Sequence, residues 1–210
     1  MIKVKITQKI FDDSYYELTE RAKIDLDFLL LTVAAAVICA FGFKMNSTPV
    51  IVGAMVISPL LYPVICAGAA TCRTDWSAFI RAVRTFAIGF LAAIAAAVVV
   101  SLFYSTTFRS EIVDRLSAEG VDYAFVAFFS GLAGTYAFFS PKIHEAIAGI
   151  AISVAVIPPI VMFGIGIGKQ NADLVLASGT IVLCNIFGIY LGAIAMVAGL
   201  HWISRDRGAS

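Results

Sequence analysis

Two proline-containing apolar segments hold the residues of this chain that are best suited to chemistry. The candidate residues are Gly53, Ser58, Pro59, Tyr62 and Pro63 in the first segment and Gly149, Ser153, Pro158 and Pro159 in the second. Proline removes a backbone donor and clashes with the preceding turn, which costs a helix interior about 3 kcal/mol. In hydrocarbon, such broken backbone persists only where protein groups or a water-lined cavity satisfy it. A matched pair of breaks is therefore the sequence pattern of a transporter-type binding site.

The polar side chains near these breaks allow two interpretations each. Asn185 lies in an uncharged stretch, residues 174–204. Its amide could hold a free carbonyl or a substrate, or it could join two helices by an interhelical hydrogen bond. Ser58 and Ser153 could line a route, although membrane serines usually bond to their own helix backbone. Tyr62 could place its hydroxyl in the same cavity.

His144 and Glu145 stand at the predicted start of a helix. A glutamate there is favoured by the helix dipole, which is the structural interpretation. The functional interpretation is a titratable gate, because histidine changes charge near neutral pH. Asp25 and Asp27 precede an apolar run and are predicted to anchor it at the membrane interface.

The composition excludes an ordinary soluble domain. The chain is 60% hydrophobic and 14% charged, with a mean hydropathy of +0.94, and a membrane-spanning helix needs about 20 apolar residues. The uncharged stretches predict an all-α polytopic membrane protein with six transmembrane helices, at about 26–43, 48–71, 79–104, 122–140, 144–168 and 173–203. A net charge of +1 gives no support for nucleic-acid binding.

The four cysteines, at positions 39, 66, 72 and 184, all lie in apolar stretches and form no Cys-x-x-Cys pair. We interpret them as small buried hydrophobic residues. Neither a disulfide, a metal site nor a cofactor is predicted.

The positive charges predict the topology. Eleven Lys and Arg residues fall on the side of both termini and four on the other side, so both termini are expected in the cytoplasm. Residues 1–25 form a cytoplasmic arm, in which Ser14 and Glu17 have the spacing of a capping box and predict a helix from about Ser14. Residues 105–121 are predicted as an external loop and 204–210 as a cytoplasmic tail.

An internal repeat relates the two halves. A shift of 96 residues places Gly53 on Gly149, Pro63 on Pro159 and Gly68 on Gly164. Each half, 26–104 and 122–203, then contains three spans. Because three is odd, the second half enters the bilayer from the opposite face, and the halves form two inverted three-helix repeats in which helices 2 and 5 are proline-broken.

The chain resembles a family of hydrophobic membrane domains of bacteria and archaea, domain of unknown function 389. The resemblance is carried by Gly53-Ala54-Met55 with Ser58-Pro59-Leu60 and Pro63, by Gly149, Ala151 and Pro158-Pro159 with Gly164, Gly166 and Gly168, and by Asn185 with Gly188. It implies a polytopic protein of the bacterial or archaeal plasma membrane whose activity is not assigned.

Three functions compete on these observations. We expect a transporter or channel for a small polar or ionic solute, with a site between helices 2, 5 and 6. Since the charged residues of the predicted spans lie near their ends and the membrane interior is predicted to contain no Asp, Glu, Lys or Arg, a carboxylate proton relay is disfavoured. The alternative is a non-transporting membrane scaffold or sensor that acts through oligomerisation or lipid contact. An intramembrane enzyme is not expected, because a Ser58–His144 pair lacks any accompanying catalytic motif.

Small residues predict close helix contacts. Gly188 and Gly192 form a Gly-x-x-x-Gly pair, and helix 3 carries alanines at positions 92, 93, 95, 96 and 97. Packing within the chain explains these faces, and so does association of several copies. A homo-oligomer surrounded by membrane lipids is the expected assembly.

Overall fold

The computed structural model describes residues 8–103, 120–140 and 156–206 of the chain. Within these ranges the secondary structure is eight α-helices and no strand. They are α1 (Gln8–Arg21), α2 (Leu26–Lys44), α3 (Thr48–Ile57), α4 (Leu61–Cys72), α5 (Trp76–Ser101), α6 (Gly120–Phe139), α7 (Ile157–Gly168) and α8 (Ala172–Asp206). The predicted loop at 105–121 lies almost wholly outside the described residues.

The helix bounds confirm the all-helical class. By length and apolarity three helices, α2, α5 and α8, can each cross a membrane, and the bent pair α3–α4 adds a fourth span if it is counted as one. These apolar helices indicate a membrane protein. The count of six spans stays a prediction, because the first part of predicted helix 5 lies outside the described ranges.

The N-terminal arm differs from its prediction. Helix α1 already includes Gln8, so Ser14 lies in mid-helix and does not cap it. The capping-box spacing predicted too late a start for α1, because Phe11 and Leu18, one on each side of Ser14, are both fully buried. A helix that packs both residues has to begin before Phe11.

Three short turns of one form connect the helix pairs α2–α3, α4–α5 and α7–α8. Each contains a residue in the left-handed region, with φ of 51° at Asn46 and 53° at both Thr74 and Gln170. In the last two turns the residue that follows caps the next helix. Asp75 accepts a hydrogen bond from the Ala78 N–H and Asn171 from the Leu174 N–H, each at 3.0 Å. Such turns fold each helix pair into an antiparallel hairpin.

Helix α4 is the centre of the described core. Nine of its 12 residues are buried, and it packs against α1, α5 and α8. Helix α7 packs in turn against α5, α8 and α2, and α6 packs along α8. In the hairpins α4–α5 and α7–α8, the short helix of each therefore packs against the long helix of the other: α4 against α8, and α7 against α5.

Glycines allow the hairpins α4–α5 and α7–α8 to approach each other closely. A Cβ placed on Gly68 of α4 would lie 2.7 Å from the Cβ of Ala193 and 3.1 Å from the carbonyl oxygen of Tyr190 in α8. A Cβ placed on Gly164 of α7 would lie 2.7 Å from the Cβ of Ala97 and 2.9 Å from the carbonyl oxygen of Ile94 in α5. These distances are shorter than side chains tolerate, so both contacts require glycine.

The Gly-x-x-x-Gly pair packs within the chain. A Cβ on Gly188 would lie 2.7 Å from the Cβ of Ala127, and one on Gly192 would meet the backbone of Phe128 and Leu132 in α6. Contact between α6 and α8 accounts for these glycines, so they carry no argument for association of several copies.

The cysteine prediction is confirmed for Cys39 and Cys66, which are buried, whereas Cys184 is half-buried. It is wrong for Cys72, which is exposed. Cys72 is the last residue of α4, where the helix reaches its turn, and its Sγ lies 3.5 Å from the carbonyl oxygen of Ile194.

Two glycines of α8 provide a matched stability test. We expect Gly192→Ala to lower the free energy of unfolding by about 1–3 kcal/mol, because the added methyl group must push α6 away. Gly199→Ala has nothing within 4 Å of its new Cβ and is expected to raise it by up to about 1 kcal/mol through helix propensity. Thermal unfolding in detergent measures both. Equal effects of the two substitutions would contradict the close α6–α8 contact.

Candidate functional site at the helix break

The first proline-containing segment is broken between Ile57 and Leu61. Helices α3 and α4 are bent by 51° at this point. Ser58 ends α3 in an extended conformation, with φ of −72° and ψ of 125°. Its Oγ accepts a hydrogen bond from the Leu60 N–H at 3.4 Å, and the Tyr62 N–H donates to the Pro59 carbonyl at 3.2 Å. The backbone thus leaves the helical path for three residues.

The break releases carbonyl groups of α3. In an α-helix the N–H of each residue bonds to the carbonyl four residues earlier. Pro59 has no N–H, so the carbonyl of Met55 loses its usual donor. The Leu60 N–H points to Ser58, so the carbonyl of Val56 loses its donor as well. Two carbonyl groups next to a bend form a polar point in an apolar segment.

The prolines of the two segments have different roles. Pro59 lies in the break itself, whereas Pro63 is the third residue of α4 and is buried there. Pro158 and Pro159 lie in the first turn of α7. Prolines at these positions interrupt no hydrogen bond, because the first N–H groups of a helix have no partner within it. The break predicted in helix 5 stays a prediction, because residues 141–155 lie outside the described ranges.

Tyr62 joins the break to α1. It is half-buried, and its hydroxyl oxygen accepts a hydrogen bond from Nη1 of Arg21 at 3.3 Å. The Arg21 guanidinium lies 5.5 Å from the centre of the Tyr62 ring. The ring of Phe138 in α6 meets Tyr62 edge-on at 6.2 Å. The first turn of α4 is therefore covered by α1 and α6.

The remaining predicted site residues are distributed around the core. Ser58 is 8% exposed and Asn185 of α8 is 3% exposed. Asn185 directly precedes Ile186, which shares the lining of one apolar groove with Pro63. Gly53 lies apart from them, because it is exposed with nothing within 4 Å of its Cβ position. His144, Glu145, Gly149 and Ser153 lie outside the described residues.

Two buried threonines are candidates that the sequence analysis missed. Thr32 in α2 and Thr135 in α6 are both 0% exposed, and in the described structure neither hydroxyl has a hydrogen-bond partner. Helix threonines usually bond back to the carbonyl four residues earlier, as Thr180 does to Leu176 at 2.9 Å. An unpaired buried hydroxyl costs about 1–3 kcal/mol. Their only sequence signal was a hydroxyl in an uncharged stretch.

Helix α1 is fastened at its other end to the α4–α5 turn. Asp12 forms an ion pair with Arg73 at 2.7 Å. The Arg73 guanidinium lies 5.6 Å from the centre of the Phe11 ring and 4.6 Å from that of Tyr15. Phe11 stacks on Phe139 of α6 at 4.9 Å. This cluster, which we call the α1 clamp, fixes α1 alongside α4, antiparallel to it.

The clamp also involves the helix cap of α5. The Tyr15 hydroxyl donates to Asp75 at 3.1 Å. The pKa of Asp75 lies below its ordinary value because the Ala78 N–H and the Ser77 hydroxyl donate to its carboxylate. The pKa of Tyr15 is raised by burial and by its hydrogen bond to Asp75. At neutral pH the carboxylate is thus the stable form of the cap.

Metal binding has no support in the described part of the chain. There, no three His, Cys, Asp or Glu side chains cluster in a way that could hold a metal ion. The candidate site residues that the structure describes provide backbone carbonyls, the hydroxyls of Ser58 and Tyr62 and the amide of Asn185.

The apolar helices indicate an α-helical membrane protein with three candidate spans in the described ranges, or four if the bent pair is one span. The family model of the domain of unknown function 389 matches residues 55–191, and the chain belongs to this family. The predicted resemblance is thereby confirmed.

One relative is the uncharacterized protein MJ0678 of Methanocaldococcus jannaschii. It is 20% identical over 188 residues, which are 89% of this chain and 58% of the relative. The chain therefore spans little more than half the length of that relative. No solved structure is significantly similar to the chain.

The two equivalent helix caps give a reciprocal pH test. A carboxylate whose pKa is lowered by folding stabilises the protein above its unfolded pKa, and this stabilisation is lost as the pH falls through the folded pKa. Asp75→Asn is therefore expected to weaken the loss of stability below about pH 4, near the ordinary pKa of aspartate. Asn171→Asp is expected to add such a loss, because Asn171 caps α8 in the same way.

The measurement is the midpoint of thermal unfolding in detergent between pH 3 and pH 7. Asp75→Ala is the control, since it removes the cap at every pH and should lower the free energy of unfolding by about 1 kcal/mol. Identical pH profiles for wild type and Asp75→Asn would contradict a role of this carboxylate in stability.

Proposed function

We propose that the chain is an integral membrane transporter or channel for a small polar or ionic solute, and that the break at residues 58–60 lies on its route. The observation that carries this proposal is the pair of carbonyls, those of Met55 and Val56, that lose their helical donors in an apolar segment. In a membrane such groups are tolerated where they line a cavity or meet other protein groups. Carbonyl oxygens can replace the hydration shell of an ion or accept hydrogen bonds from a neutral solute.

We infer further that the two halves are inverted repeats. The shift of 96 residues relates the turn at Thr74 to the turn at Gln170. It also relates the contact of Gly68 with Ala193 to the contact of Gly164 with Ala97. The turn by itself is weak support, because the α2–α3 turn has the same form. The exchanged helix contacts are stronger support, since they involve four helices in matching register.

The directions of the helices support inversion. Along α4, Pro63 shares a groove with Ile186 and Gly68 faces Ala193, so α4 runs parallel to α8. Along α7, Gly164 faces Ala97 and Gly168 faces Ser101, so α7 runs parallel to α5. Since α4 and α5 form an antiparallel hairpin, α4 and α7 run in opposite directions. Corresponding helices that oppose each other are the mark of an inverted-topology repeat.

The inverted arrangement is consistent with the topology that we propose. It has six spans in the bacterial or archaeal plasma membrane and both termini in the cytoplasm. The α1 clamp, with its ion pair and its tyrosine, then lies at the cytoplasmic end of the α4–α5 hairpin. Arg73, Arg81 and Arg84 belong to the same end, as the positive-inside bias requires.

A second candidate function is a non-transporting scaffold or sensor. It is favoured by the dense packing around the break, where Ala54 and Leu60 are both 0% exposed. In this case the released carbonyls would bond to neighbouring protein groups and no solute would pass.

Measurements of solute flux through proline variants distinguish a transporter or channel from a non-transporting scaffold. Pro59→Ala restores an N–H that can bond the Met55 carbonyl, so we expect a straighter helix and a large loss of flux. Pro49→Ala is the matched control, because Pro49 lies in the first turn of α3, where no N–H is needed. Its flux should stay close to that of the wild type.

The assay is light scattering by proteoliposomes that swell in a panel of small solutes, including glycerol, urea, formate, nitrate and potassium salts. Ser58→Cys in a background without other cysteines, treated with a membrane-impermeant thiol reagent from each side, reports access to the break. Two results together would overturn the transport proposal in favour of a scaffold. They are wild-type vesicles that are no leakier than protein-free vesicles, and an introduced thiol that the reagent labels from neither side.

A further inference from the structure

Two apolar grooves open on the outside of the described helices. The first has a volume of about 390 Å³ and is formed by α4, α5 and α8. The second has a volume of about 360 Å³ and is formed by α5, α7 and α8. Both volumes lie in the range of small-molecule sites. Their walls include side chains that are largely exposed, such as Phe187 at 62% in the first groove and Leu183 at 58% in the second.

The two grooves are equivalent under the internal repeat. Residues of the first groove correspond, at a shift of 96, to residues of the second. Three such pairs are Ala67 and Phe163, Phe79 and Val175, and Val83 and Gly179. The grooves are therefore a repeated feature of the fold. Each arises where the hairpins α4–α5 and α7–α8 pack against each other.

The linings select for hydrocarbon. In the first groove the one hydroxyl of the lining belongs to Tyr190, and its oxygen lies 2.9 Å from Oγ1 of Thr71 in a hydrogen bond. In the second groove the hydroxyl of Thr180 donates to the Leu176 carbonyl at 2.9 Å. Neither lining therefore offers a polar side chain that lacks a partner, and a polar ligand would lose its hydration without compensation.

The size of the grooves selects for a thin ligand. An α-helix with its side chains is about 10–12 Å across, so a helix of another copy would lie over an open groove of about 390 Å³ and not within it. An acyl chain is one methylene wide and flexible enough to follow the wall. On a surface that the membrane surrounds, phospholipid supplies such chains in excess.

We propose that each groove is a binding site for one acyl chain of a phospholipid. A chain bound there is held between helices and exchanges slowly, in contrast to the lipids that merely surround the protein. On the inverted arrangement proposed above, the two sites face opposite leaflets. The sites themselves depend on the apolar walls and not on the transport of any solute.

The chain carries its own reporter for the first groove. Trp76 is 65% exposed, and its ring meets that of Phe79, a wall residue, at 5.6 Å. The sequence contains two tryptophans, so Trp202→Phe leaves Trp76 as the single reporter. Phosphatidylcholine with brominated acyl chains quenches tryptophan fluorescence on contact. Titrating it into detergent-solubilised Trp202→Phe protein should give quenching that saturates.

Val83→Phe tests the groove directly, because Val83 is an exposed wall residue of the first groove and its equivalent in the second groove is Gly179, so the larger ring fills space that the second groove keeps free. We expect the saturating component to disappear or its midpoint to rise at least tenfold. Phe187→Ala, at an exposed wall position that should not affect folding, is expected to raise the midpoint less. Trp76→Phe, which retains only Trp202, should show quenching that increases linearly with lipid.

Two outcomes would overturn the proposal. Quenching of Trp76 that is linear with lipid and equal in the Val83→Phe variant would mean that no chain is held. A protein that is dimeric by light scattering and becomes monomeric with Val83→Phe would mean that the groove is an interface between copies. Both results are independent of the swelling assay, so a failure here leaves the transport proposal open, and the reverse also holds.

Discussion

Close approach of helix backbones is the constraint on which the rest of this structure depends. In a bilayer, helices gain little by leaving lipid for protein, so their association relies on packing and on hydrogen bonds. Here the two hairpins meet where Gly68 and Gly164 leave no room for a side chain. These contacts hold α4 against α8 and α7 against α5, and they place the break at the edge of the packed core. The grooves between the hairpins follow from the same contacts, since helices that touch at one point must diverge beyond it.

The sequence predicted the apolar helices well because long uncharged stretches have few structural alternatives. The bounds of α2, α5 and α8 fall within three residues of their predictions. Charge and hydropathy say less about short polar helices, and so the start of α1 was misplaced at Ser14. The buried faces of Phe11 and Leu18 decide where α1 begins, and these depend on partners far away in the chain. Local patterns cannot reveal such partners.

The candidate site was predictable only in part. Pro59 lies in the bend between α3 and α4, and the missing N–H of a proline is a local property that a sequence can indicate. The proline pattern did not show that Pro63 lies in the first turn of α4, where a proline interrupts no hydrogen bond. Its position in the helix depends on where α4 begins. The link from Tyr62 to Arg21 and the burial of the Thr32 hydroxyl are products of tertiary packing. A sequence supplies the residue types for such contacts without their geometry.

The length of α8 sets the protein apart from a simple bundle. Its 35 residues correspond to about 52 Å of helix at 1.5 Å per residue. The hydrocarbon layer is about 30 Å thick, and a helix would need to lean by more than the roughly 40° seen in membrane proteins to fit inside it. Part of α8 must therefore stand clear of the bilayer. At the end where the His201 ring lies 6.0 Å from the ring of Phe11, the protruding part of α8 reaches the level of α1.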